Sequence, residues 1–355
     1  MGVTNLGDLV TKRHEVDFDF FKGKTLAFDG NNILYQFLTS IRQSDGSLLT
    51  DEEGNVTSHL IGLLYRMTSV LEKEIKAVYI FDGKPPEEKT KELKKRKTKK
   101  EKAEIAYEEA IERGDLKLAK KYAQRMTRLT EQMIEDAKKF LGLLGIPIVQ
   151  ASSEGEGQAA FMTRQSDVWA SCSQDYDSLL FGTPRVARNL TVSGRRKLPG
   201  KNVYVTINPE LIKLKECLEA LDITREQLID VAILLGTDFN PDGLGVKGVG
   251  PKTALKLIKQ HKRIEPILKL PKMKGAVLEE EDLPIVRDIF LNPEVTKNYS
   301  LKWGKINVDG AVEFLCEERG FSESRVRNTL EKTILEIEEK KKQPTLEAFF
   351  GGGEK

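Results

Sequence analysis

The chain has 355 residues, 39% of them hydrophobic and 32% charged, with a formal net charge of +2, and these values predict a globular protein of one large domain or two closely packed ones. Three widely separated cysteines and three isolated histidines argue against a disulfide framework, a cysteine zinc site and a histidine-dependent hydrolase, so any metal chemistry must use oxygen ligands, which suit Mg²⁺ or Mn²⁺. Because no apolar run approaches the roughly 18 residues of a membrane helix and the N-terminus lacks signal-peptide features, we expect an intracellular protein with no membrane partner.

Three apolar runs of the chain end in aspartates. They span residues 24–30 ("KTLAFDG"), 77–83 ("AVYIFDG") and 168–182 ("VWASCSQDYDSLLFG"), and helical segments such as 58–75 lie between them. Strands that alternate with helices predict an α/β fold with a largely parallel sheet, and sites in such folds form outside the carboxyl ends of the strands. The residues that this rule gathers at one site are Asp29, Asp82, Asp175 and Asp177.

The segment between the second and third of these runs is basic and rich in helix formers. Residues 84–102 carry ten basic and four acidic side chains, which makes this stretch a candidate contact for a polyanion. Residues 87–138 favour helix except at "RGD" (113–115), so we predict two long charged helices joined by a turn. Their weak apolar face indicates that they project from the core, either to contact a polyanion or as a solvated coiled arm.

Two glutamates alternate with two glycines in "SSEGEGQ" (152–158). Ser153 followed three residues later by Glu156 is typical of a capping box at a helix start. This interpretation explains Glu156 but neither Glu154 nor the flanking glycines, which would let a ligand approach both carboxylates closely. The local sequence leaves open whether these glutamates only cap a helix or also belong to a site.

A glycine-rich hairpin follows a predicted strand at 202–208 and a predicted helix at 224–236. The glycines and lysine within residues 237–261 resemble a phosphate-binding P-loop, but Pro251 separates the last glycine from the lysine, so we discount nucleotide binding. A helix, a hairpin at "GVG" (248–250) and a second helix fit better, with backbone amides and a helix N-terminus available for a phosphate. A hairpin that joins two packed helices without a ligand is the alternative.

The C-terminus, "KKKQPTLEAFFGGGEK", follows a charged helix and has no core pattern. Its apolar residues Leu346, Phe349 and Phe350 would be exposed in a flexible tail, which favours a peptide that binds a partner over a segment that is merely solvated. A tail that folds back to cover the protein's own surface is the alternative.

Seven motifs, in this order along the chain, invite comparison with a known family: "LAFDGNNILYQFL", "YIFDGKPPEEK", "SSEGEGQAA", "SQDYDSLLFG", "LLGTDFN", "GVKGVGPKTA" and "QPTLEAFF". Together they resemble the flap endonucleases of the structure-specific 5′-nuclease family, and the resemblance covers nearly the whole chain. The tail lacks a long basic extension after its two phenylalanines, which is more similar to archaeal than to eukaryotic members. "DYD" and the long turn "NPDGLGV" depart slightly from the family pattern without removing a motif residue.

The resemblance implies an α/β fold with a mostly parallel central sheet flanked by helices, a projecting helical arch and a helix-hairpin-helix element that binds DNA. Residues 1–340 would form a single nuclease domain, and residues 341–355 a flexible tail with a clamp-binding peptide. The parts of the domain would be an N-terminal part (1–84), the arch (85–138), an internal part (139–240) and a part with the helix-hairpin-helix and C-terminal helices (241–340).

The resemblance also implies a site for two Mg²⁺ ions, for which Mn²⁺ can substitute, because so many carboxylates in one cleft would repel one another without divalent cations. The implied ligands are Asp29, Asp82, Glu154, Glu156, Asp175, Asp177 and Asp238. Lys89 and Arg96 would neutralise the scissile phosphate, and Tyr35 would stack on the nucleotide at the cleavage site. The alternatives are that Tyr35 belongs to the core and that Lys89 and Arg96 are ordinary surface charges.

The implied activity is cleavage of branched DNA at 5′ flaps, with 5′-3′ exonuclease activity, in Okazaki-fragment maturation and DNA repair. The nuclease would be a monomer, cytoplasmic in an archaeon and nuclear in a eukaryote. Two further sets of residues would bind partners: Gly248, Gly250 and Lys252 the DNA duplex, and Gln343, Leu346, Phe349 and Phe350 the DNA sliding clamp PCNA.

Two other functions compete with the nuclease. A DNA- and clamp-binding scaffold without activity would not need all seven acidic positions. A carboxylate-dependent phosphatase for small substrates would account for the strands that end in aspartate, but not for the basic helices or the glycine hairpin. We therefore favour the nuclease, which an assay with labelled flap, nicked and single-stranded DNA plus Mg²⁺ separates from both.

Overall fold

The computed structural model describes Val3 and residues 5–43, 45–192, 194–197, 203–273 and 278–342. Its strands are β1 (His14–Glu15), β2 (Thr25–Asp29), β3 (Lys76–Phe81), β4 (Ile148–Gln150), β5 (Ala170–Cys172), β6 (Arg185–Arg188), β7 (Gly194–Lys197), β8 (Tyr204–Ile207) and β9 (Glu210–Lys213). Its α-helices are α1 (Gly30–Ser40), α2 (Ser58–Glu72), α3 (Thr90–Glu112), α4 (Leu116–Arg125), α5 (Glu131–Leu143), α6 (Gly155–Arg164), α7 (Asp177–Leu180), α8 (Leu214–Leu221), α9 (Arg225–Leu235), α10 (Pro251–His261), α11 (Glu265–Leu268), α12 (Asp282–Leu291), α13 (Val308–Val312) and α14 (Glu323–Lys342). Turns of 3₁₀ helix lie at Leu6–Asp8, Asp19–Phe21, Glu87–Lys89, Pro241–Gly243 and Pro271–Met273, and a π-helical turn lies at Glu313–Glu317.

The central sheet orders seven of the described strands as β1-β9-β6-β5-β2-β3-β4. The strands from β6 to β4 are parallel to one another, whereas β9 and β1 pair antiparallel at one side. β2 and β3 are nearly continuous apolar runs because helices cover both faces of the sheet. This arrangement confirms the predicted α/β fold with a mostly parallel sheet.

The two faces of the sheet bury different side chains, as the residues of β3 demonstrate. Tyr79 and Phe81 join a core with α1, α2, α5 and α14. Val78 and Ile80 join a smaller core that includes Met162 of α6. A third core packs α9, α10 and α12 against β6 and β9. Because successive residues of a strand face opposite ways, one apolar run supplies both layers.

The basic segment forms α3 and α4, which pack against each other and meet at a turn where the sequence predicted one, at residues 113–115. In this turn Gly114 has a φ of +69°, and the Asp115 side chain caps α4 by accepting a hydrogen bond from the Leu118 N–H at 3.0 Å. The small side chains buried along the pair are Ala103, Ala110, Ala119 and Ala123. Larger apolar side chains such as Ile105 remain exposed, so this helical arch (α3 and α4) stands away from the main core.

Both helices of the arch are tied to the body of the protein. Lys95 of α3 donates to the backbone oxygen of Asp242 at 3.1 Å and pairs with its carboxylate at 3.2 Å. On the other side, Gln124 of α4 donates to the backbone oxygen of Thr39 at 3.3 Å. The next helix, α5, packs in the core, so the predicted arch boundary at residue 138 falls inside a core helix.

α9 and α10 flank the glycine hairpin. Thr224 and Gln227 form a capping box at the start of α9, and α10 begins at Pro251 directly after the hairpin. Part of the strand predicted at 202–208 is observed as β8, which pairs with β7 in a separate two-stranded ribbon. No helix in the described ranges is both long and apolar enough to cross a membrane.

Candidate functional site

A cavity of about 500 Å³ opens at the carboxyl ends of β2, β3 and β5, between the first turn of α6 and the arch helix α3. Parallel strands bring their carboxyl ends to one edge, which is where open α/β sheets form their sites. The acidic, basic and aromatic residues singled out from the sequence that line this cavity are Asp29, Asp82, Glu154, Glu156, Asp175, Asp177, Asp238, Lys89, Arg96 and Tyr35. The structure therefore gathers distant parts of the sequence around one space.

Asp29 is both the last residue of β2 and the N-cap of α1. Its carboxylate accepts a hydrogen bond from the Asn32 N–H at 3.0 Å, and the Asn32 side chain donates to Asp175 at 2.7 Å. Gly30 lies so close to the next strand that a Cβ there would be 2.8 Å from the Phe81 ring. The segment after β2 thus links carboxylates from two neighbouring strands.

Asp82 follows β3 and contacts the start of α6. Its carboxylate accepts from the Gly155 N–H at 2.8 Å, and its own N–H donates to the side-chain oxygen of Asn31 at 3.2 Å. A Cβ on Gly155 would lie 2.9 Å from the Asp82 carboxylate, and one on Gly157 would lie 2.9 Å from Pro293. Close packing within the protein therefore requires both glycines.

The prediction of a capping box at the start of α6 is wrong. Glu154 occupies the N-cap position, and its side chain makes no capping hydrogen bond. The carboxylate of Glu156 instead accepts from the hydroxyls of Ser173 at 3.2 Å and Ser178 at 3.0 Å. Tertiary partners thus take the place of the local cap, and both glutamates face the cavity.

Asp175 lies on the turn between β5 and α7, and Asp177 is the first residue of α7. The Asp175 N–H donates to the Ser173 hydroxyl at 3.2 Å. The Asp177 carboxylate accepts from the backbone N–H of Val3 at 2.8 Å, a contact that spans 174 positions of the chain. The N-terminal segment therefore helps to hold a carboxylate of the site.

Lys89 and Arg96 reach into the cavity from the foot of the arch. Lys89 Nζ lies 2.5 Å from a carboxylate oxygen of Glu154, and Arg96 pairs with Asp238. Burial alone would lower the pKa of Lys89, but the neighbouring carboxylates, Glu154 first and then Asp82 and Asp238, together outweigh it and raise that pKa. Since the two side chains are only 16% and 20% exposed, they are not ordinary surface charges.

Burial and crowding raise the pKa values of several carboxyls in the cavity. Burial, assisted by the nearby Asp82 charge, raises the pKa of Asp29 to about 8. Burial also raises the pKa of Asp177 to about 7. The pKa values of Asp82, Glu154 and Glu156 are raised as well, chiefly by burial. The cavity therefore favours protonated carboxyls unless positive charge is added to it.

The candidate ligands suit a hard divalent cation such as Mg²⁺ because all of them are carboxylates. In the part of the chain that the structure describes, no three Asp, Glu, His or Cys side chains are oriented to hold a metal ion as they stand. Hydrogen bonds and ion pairs engage several of the carboxylates instead. Burial and, to a smaller extent, neighbouring carboxylates disfavour the charged forms of Asp29 and Asp177, and a bound divalent cation would offset both effects, so the residues fit one by chemistry and charge.

Tyr35 projects from α1 into the wall of this cavity, and its ring is half-buried. Lys100 of the arch places its Nζ 5.6 Å from the ring centroid. Burial raises the pKa of the Tyr35 hydroxyl. The tyrosine therefore borders the open space beneath α3, so it is not a core residue.

The predicted phosphate-binding hairpin lies outside this cavity. Gly248 has a φ of +81°, in the left-handed region that favours glycine, and Gly250 is the N-cap of α10 with open space around it. Lys252 is exposed in the first turn of α10. The predicted clamp-binding residues Gln343, Leu346, Phe349 and Phe350 lie outside the described residues.

The residues that orient these carboxylates were not predicted from the sequence. Asn31 and Asn32 had a signal, since two amides follow, after one glycine, a strand that ends in aspartate. Val3 had none, because it contributes only its backbone N–H to the site. Neither did Arg188 of β6, which donates to the backbone oxygen of Gln174 within the acidic turn.

Comparisons with known proteins place the chain in a family. The XPG N-terminal domain matches residues 1–103, and the XPG I-region matches residues 145–238. Flap endonuclease 1 of Pyrococcus abyssi is 52% identical over 350 residues, which cover 99% of this chain and 98% of the relative. The chain belongs to the flap endonuclease 1 family.

Solved structures agree with membership of the flap endonuclease 1 family. Flap endonuclease-1 from Methanococcus jannaschii matches with a TM-score of 0.72 and 41% identity, covering 95% of this chain and 99% of that one. The catalytic core of Rad2, solved in complex with DNA substrate, shares the fold with a TM-score of 0.67 and 22% identity, covering 94% of this chain and 99% of that one. As a member of the flap endonuclease 1 family, the protein is a nuclease, and the predicted enzyme class is confirmed.

Proposed function

We propose that the protein is a Mg²⁺-dependent endonuclease that hydrolyses phosphodiester bonds at 5′-flap junctions in DNA. The observation that carries this proposal is the single cavity in which seven carboxylates face Lys89 and Arg96 at the foot of the basic arch. Relatives that are named flap endonuclease 1 match nearly the whole chain, and they support the flap as the substrate. The proposal includes 5′-3′ exonuclease activity and roles in Okazaki-fragment maturation and DNA repair.

Two divalent cations would be held by the carboxylates that surround the cavity. The residues that would hold them are Asp29, Asp82, Glu154, Glu156, Asp175, Asp177 and Asp238. Bound Mg²⁺ would supply a nucleophilic hydroxide at neutral pH and charge stabilisation for the departing oxygen. Mn²⁺ would substitute because it accepts the same oxygen ligands.

Lys89 and Arg96 would neutralise the charge of the scissile phosphate. Both are largely buried at the cavity, so their charge would act in surroundings where water screens it little. Charge placed beside the reacting phosphate stabilises the transition state more than the bound substrate. The two residues would therefore contribute mainly to the rate of cleavage.

The arch and Tyr35 would guide the single strand towards the cavity. Lys97, Lys100 and Arg128 line the cavity together with Tyr35. Positive charge attracts the phosphate backbone, and an aromatic ring that stacks on a base contributes roughly 1–3 kcal/mol. These contacts carry no base code, so cleavage would depend on the shape of the DNA and not on its sequence.

The glycine hairpin would bind a phosphate of the duplex. Gly248 allows a turn that other residues adopt with difficulty, and the N-terminus of α10 follows at Pro251. Backbone N–H groups and the positive end of a helix dipole together attract an anion. Lys252, exposed on the same turn of α10, would add a long-range attraction.

A cleavage assay tests the proposed function. We expect the purified protein to cut a labelled 5′-flap substrate endonucleolytically with Mg²⁺, to cut nicked DNA more slowly from its 5′ end, and to cut neither in EDTA. A DNA-binding scaffold would bind the flap substrate without cutting it. A small-substrate phosphatase would hydrolyse p-nitrophenyl phosphate and leave the flap substrate intact, and either result would reject the proposal.

The C-terminal tail would join the nuclease to the DNA sliding clamp PCNA. In "QPTLEAFF" one turn of helix after Thr345 would bring Leu346, Phe349 and Phe350 onto one apolar face, and Gln343 would fix the register by hydrogen bonding. The nuclease itself would be a monomer, in the cytoplasm if its source is archaeal. Calorimetric titration of a 341–355 peptide against the clamp tests this, and no binding at tens of micromolar would reject it.

A further inference from the structure

The turn that carries Asp175 and Asp177 is held by one arginine at several points. Arg188, the last residue of β6, donates from Nε to the backbone oxygen of Gln174 at 3.2 Å and from Nη1 to the Tyr176 hydroxyl at 2.5 Å. Its guanidinium carbon lies 4.2 Å from the centroid of the Tyr176 ring. The turn therefore rests on a planar, permanently charged group that fixes both backbone and side chain.

The guanidinium is itself held in place. Glu210 of β9 accepts from Arg188 Nη1 at 2.9 Å, and the two side chains are only 24% and 15% exposed. β9 pairs with β6 so that Arg188 lies opposite Glu210 in the register. The sheet thus orients the arginine, and the hydrogen bonds of the arginine to Gln174 and Tyr176 in turn orient the turn.

The N-terminal segment packs against the same tyrosine, Tyr176. Arg13 places its guanidinium carbon 5.2 Å from the Tyr176 ring centroid, and a Cβ on Gly7 would lie 2.6 Å from a carbon of that ring. Tyr176 stands between Asp175 and Asp177 in the chain, and Asp177 also accepts from the Val3 N–H. Any displacement of Tyr176 would therefore move both carboxylates.

We propose that Arg188, acting through Gln174 and Tyr176, is a positioning residue that fixes Asp175 and Asp177 for binding a divalent cation. This inference rests on the proposed function, in which these two carboxylates belong to the metal site. It goes beyond that function because Arg188 touches neither DNA nor metal in the proposed scheme and lies outside the residues that line the cavity.

The same strand supplies a matched control at its other end. Arg185, the first residue of β6, donates from Nε to the backbone oxygen of Trp169 at 2.7 Å, and its guanidinium carbon lies 4.9 Å from the Trp169 ring centroid. The bonding pattern resembles that of Arg188, but the contact lies at the amino ends of the strands, away from the cavity. Replacement of either arginine should lower stability, but only replacement of Arg188 should weaken metal binding.

Three variants of the full-length protein test the inference: Arg188→Lys, Tyr176→Phe and Arg185→Lys. The measurements are the Kd of Mn²⁺ without DNA by calorimetry, the Mg²⁺ concentration that gives half the maximal single-turnover rate, and the midpoint of thermal unfolding in EDTA. We expect Arg188→Lys to weaken both metal measurements about tenfold, because partners that orient metal ligands typically contribute 10- to 100-fold to affinity. Tyr176→Phe, which keeps the ring, should weaken them by a few-fold.

Arg185→Lys should leave both metal measurements at the wild-type value even if it lowers the unfolding midpoint as much as Arg188→Lys does. Equal Mn²⁺ affinity in the wild type, Arg188→Lys and Tyr176→Phe would overturn the inference while leaving the metal site intact. A wild-type protein that binds no Mn²⁺ and cuts flap DNA in EDTA would overturn the proposed function as well. Should Arg188→Lys fail to fold, the Kd of Mn²⁺ for Tyr176→Phe decides the matter.

Discussion

The two ends of the parallel strands, which we call the amino edge and the carboxyl edge of the sheet, surround their charged groups differently. At the amino edge, Lys24 and Arg185 lie beside aromatic rings. At the carboxyl edge, where the cavity opens, carboxylates lie beside other carboxylates. Lys24 Nζ is 4.4 Å from the Phe20 ring centroid and 5.2 Å from that of Trp169, which Arg185 also approaches. At the carboxyl edge the charges of Asp82 and Asp175 raise the pKa of Asp29 further, beyond the effect of its burial. The amino edge satisfies these charges locally, whereas at the carboxyl edge Lys89 and Arg96 pair with Glu154 and Asp238 but Asp29 and Asp177 still lie close to like charges.

The difference between the two edges indicates which of them is built for a ligand. A cation over an aromatic ring is a stable arrangement that needs nothing further. Buried carboxylates that repel one another cost folding free energy unless protons, basic side chains or metal ions offset them. The carboxyl edge therefore keeps a demand for positive charge, which a nuclease can meet with divalent cations.

The largest expected effect is the loss of cleavage when one carboxylate is removed from the carboxyl edge. Asp175→Ala and Asp238→Ala should each lower the single-turnover rate at least about 10³-fold, because a metal ion contributes several kcal/mol and each 1.4 kcal/mol is tenfold. DNA binding should persist or tighten, since negative charge is removed. The measurement is single-turnover cleavage and DNA affinity at saturating Mg²⁺.

Asp19→Ala provides the matched change at the amino edge, where this carboxylate is 74% exposed and pairs with Lys73. It should leave the cleavage rate unchanged. Near-normal turnover in Asp175→Ala or Asp238→Ala would break the comparison, because the carboxyl edge would then be no more catalytic than the other.

A smaller loss is expected from the basic residues that face those carboxylates. Lys89→Ala and Arg96→Ala should each lower the single-turnover rate about 10²- to 10³-fold and DNA affinity by only a few-fold, because their charge acts in the transition state. Lys24→Ala, at the amino edge, should change neither quantity. If Lys89→Ala weakens affinity alone, Lys89 belongs to the general electrostatic surface for DNA and has no catalytic role.

The pH dependence of cleavage sharpens the comparison further. Burial and nearby charges raise the pKa of Asp29 to about 8 and that of Asp177 to about 7, so in the proposed metal site protons would compete with metal ions for these carboxylates below those values. At a subsaturating Mg²⁺ concentration the rate should rise between pH 6 and pH 8, by roughly tenfold per unit where one proton must be lost. More Mg²⁺ should shift the rise to lower pH, and a profile that ignores the Mg²⁺ concentration would contradict this origin.

The smallest expected effect is on stability without metal. Because the pKa of Asp29 is raised to about 8 from the ordinary 3.8, its stabilising contribution is fully present below pH 3.8 and is lost as the pH rises through about 8. An asparagine at this position would remain neutral and could still cap α1, so Asp29→Asn should raise the unfolding midpoint in EDTA at pH 8.5 by about 2–5 °C. At pH 5 the gain should shrink, and an equal gain at both values would exclude the ionisation of Asp29 as the cause.

The sequence predicted the residues of the carboxyl edge well because the pattern that places them is local. An apolar run that ends in aspartate places that aspartate at the end of a strand, and parallel pairing brings the ends of neighbouring strands together, as Asp29 and Asp82 demonstrate. The turn at "RGD" was equally predictable from the sequence, since glycine and an N-capping aspartate act within a few residues. These features need no knowledge of the tertiary structure.

The sequence could not predict the contacts that orient the site. The Ser153–Glu156 pattern suggested a cap, yet Ser173 and Ser178 bind Glu156 in the folded protein. The bond from Asn32 to Asp175 spans 143 positions of the chain. Such partners follow from the packing of α1 and α6 against the sheet, which no local pattern encodes.

In the proposed function, the ion pairs of Lys89 with Glu154 and of Arg96 with Asp238 would couple metal binding to DNA binding. A carboxylate that turned to a metal ion would give up its basic partner, and that partner would then be available to a phosphate. By linkage, whatever factor metal binding adds to the affinity for DNA, DNA binding adds to the affinity for metal. The protein without ligands pairs these acidic and basic groups with each other, and binding of either ligand would lower the free energy needed to bind the other.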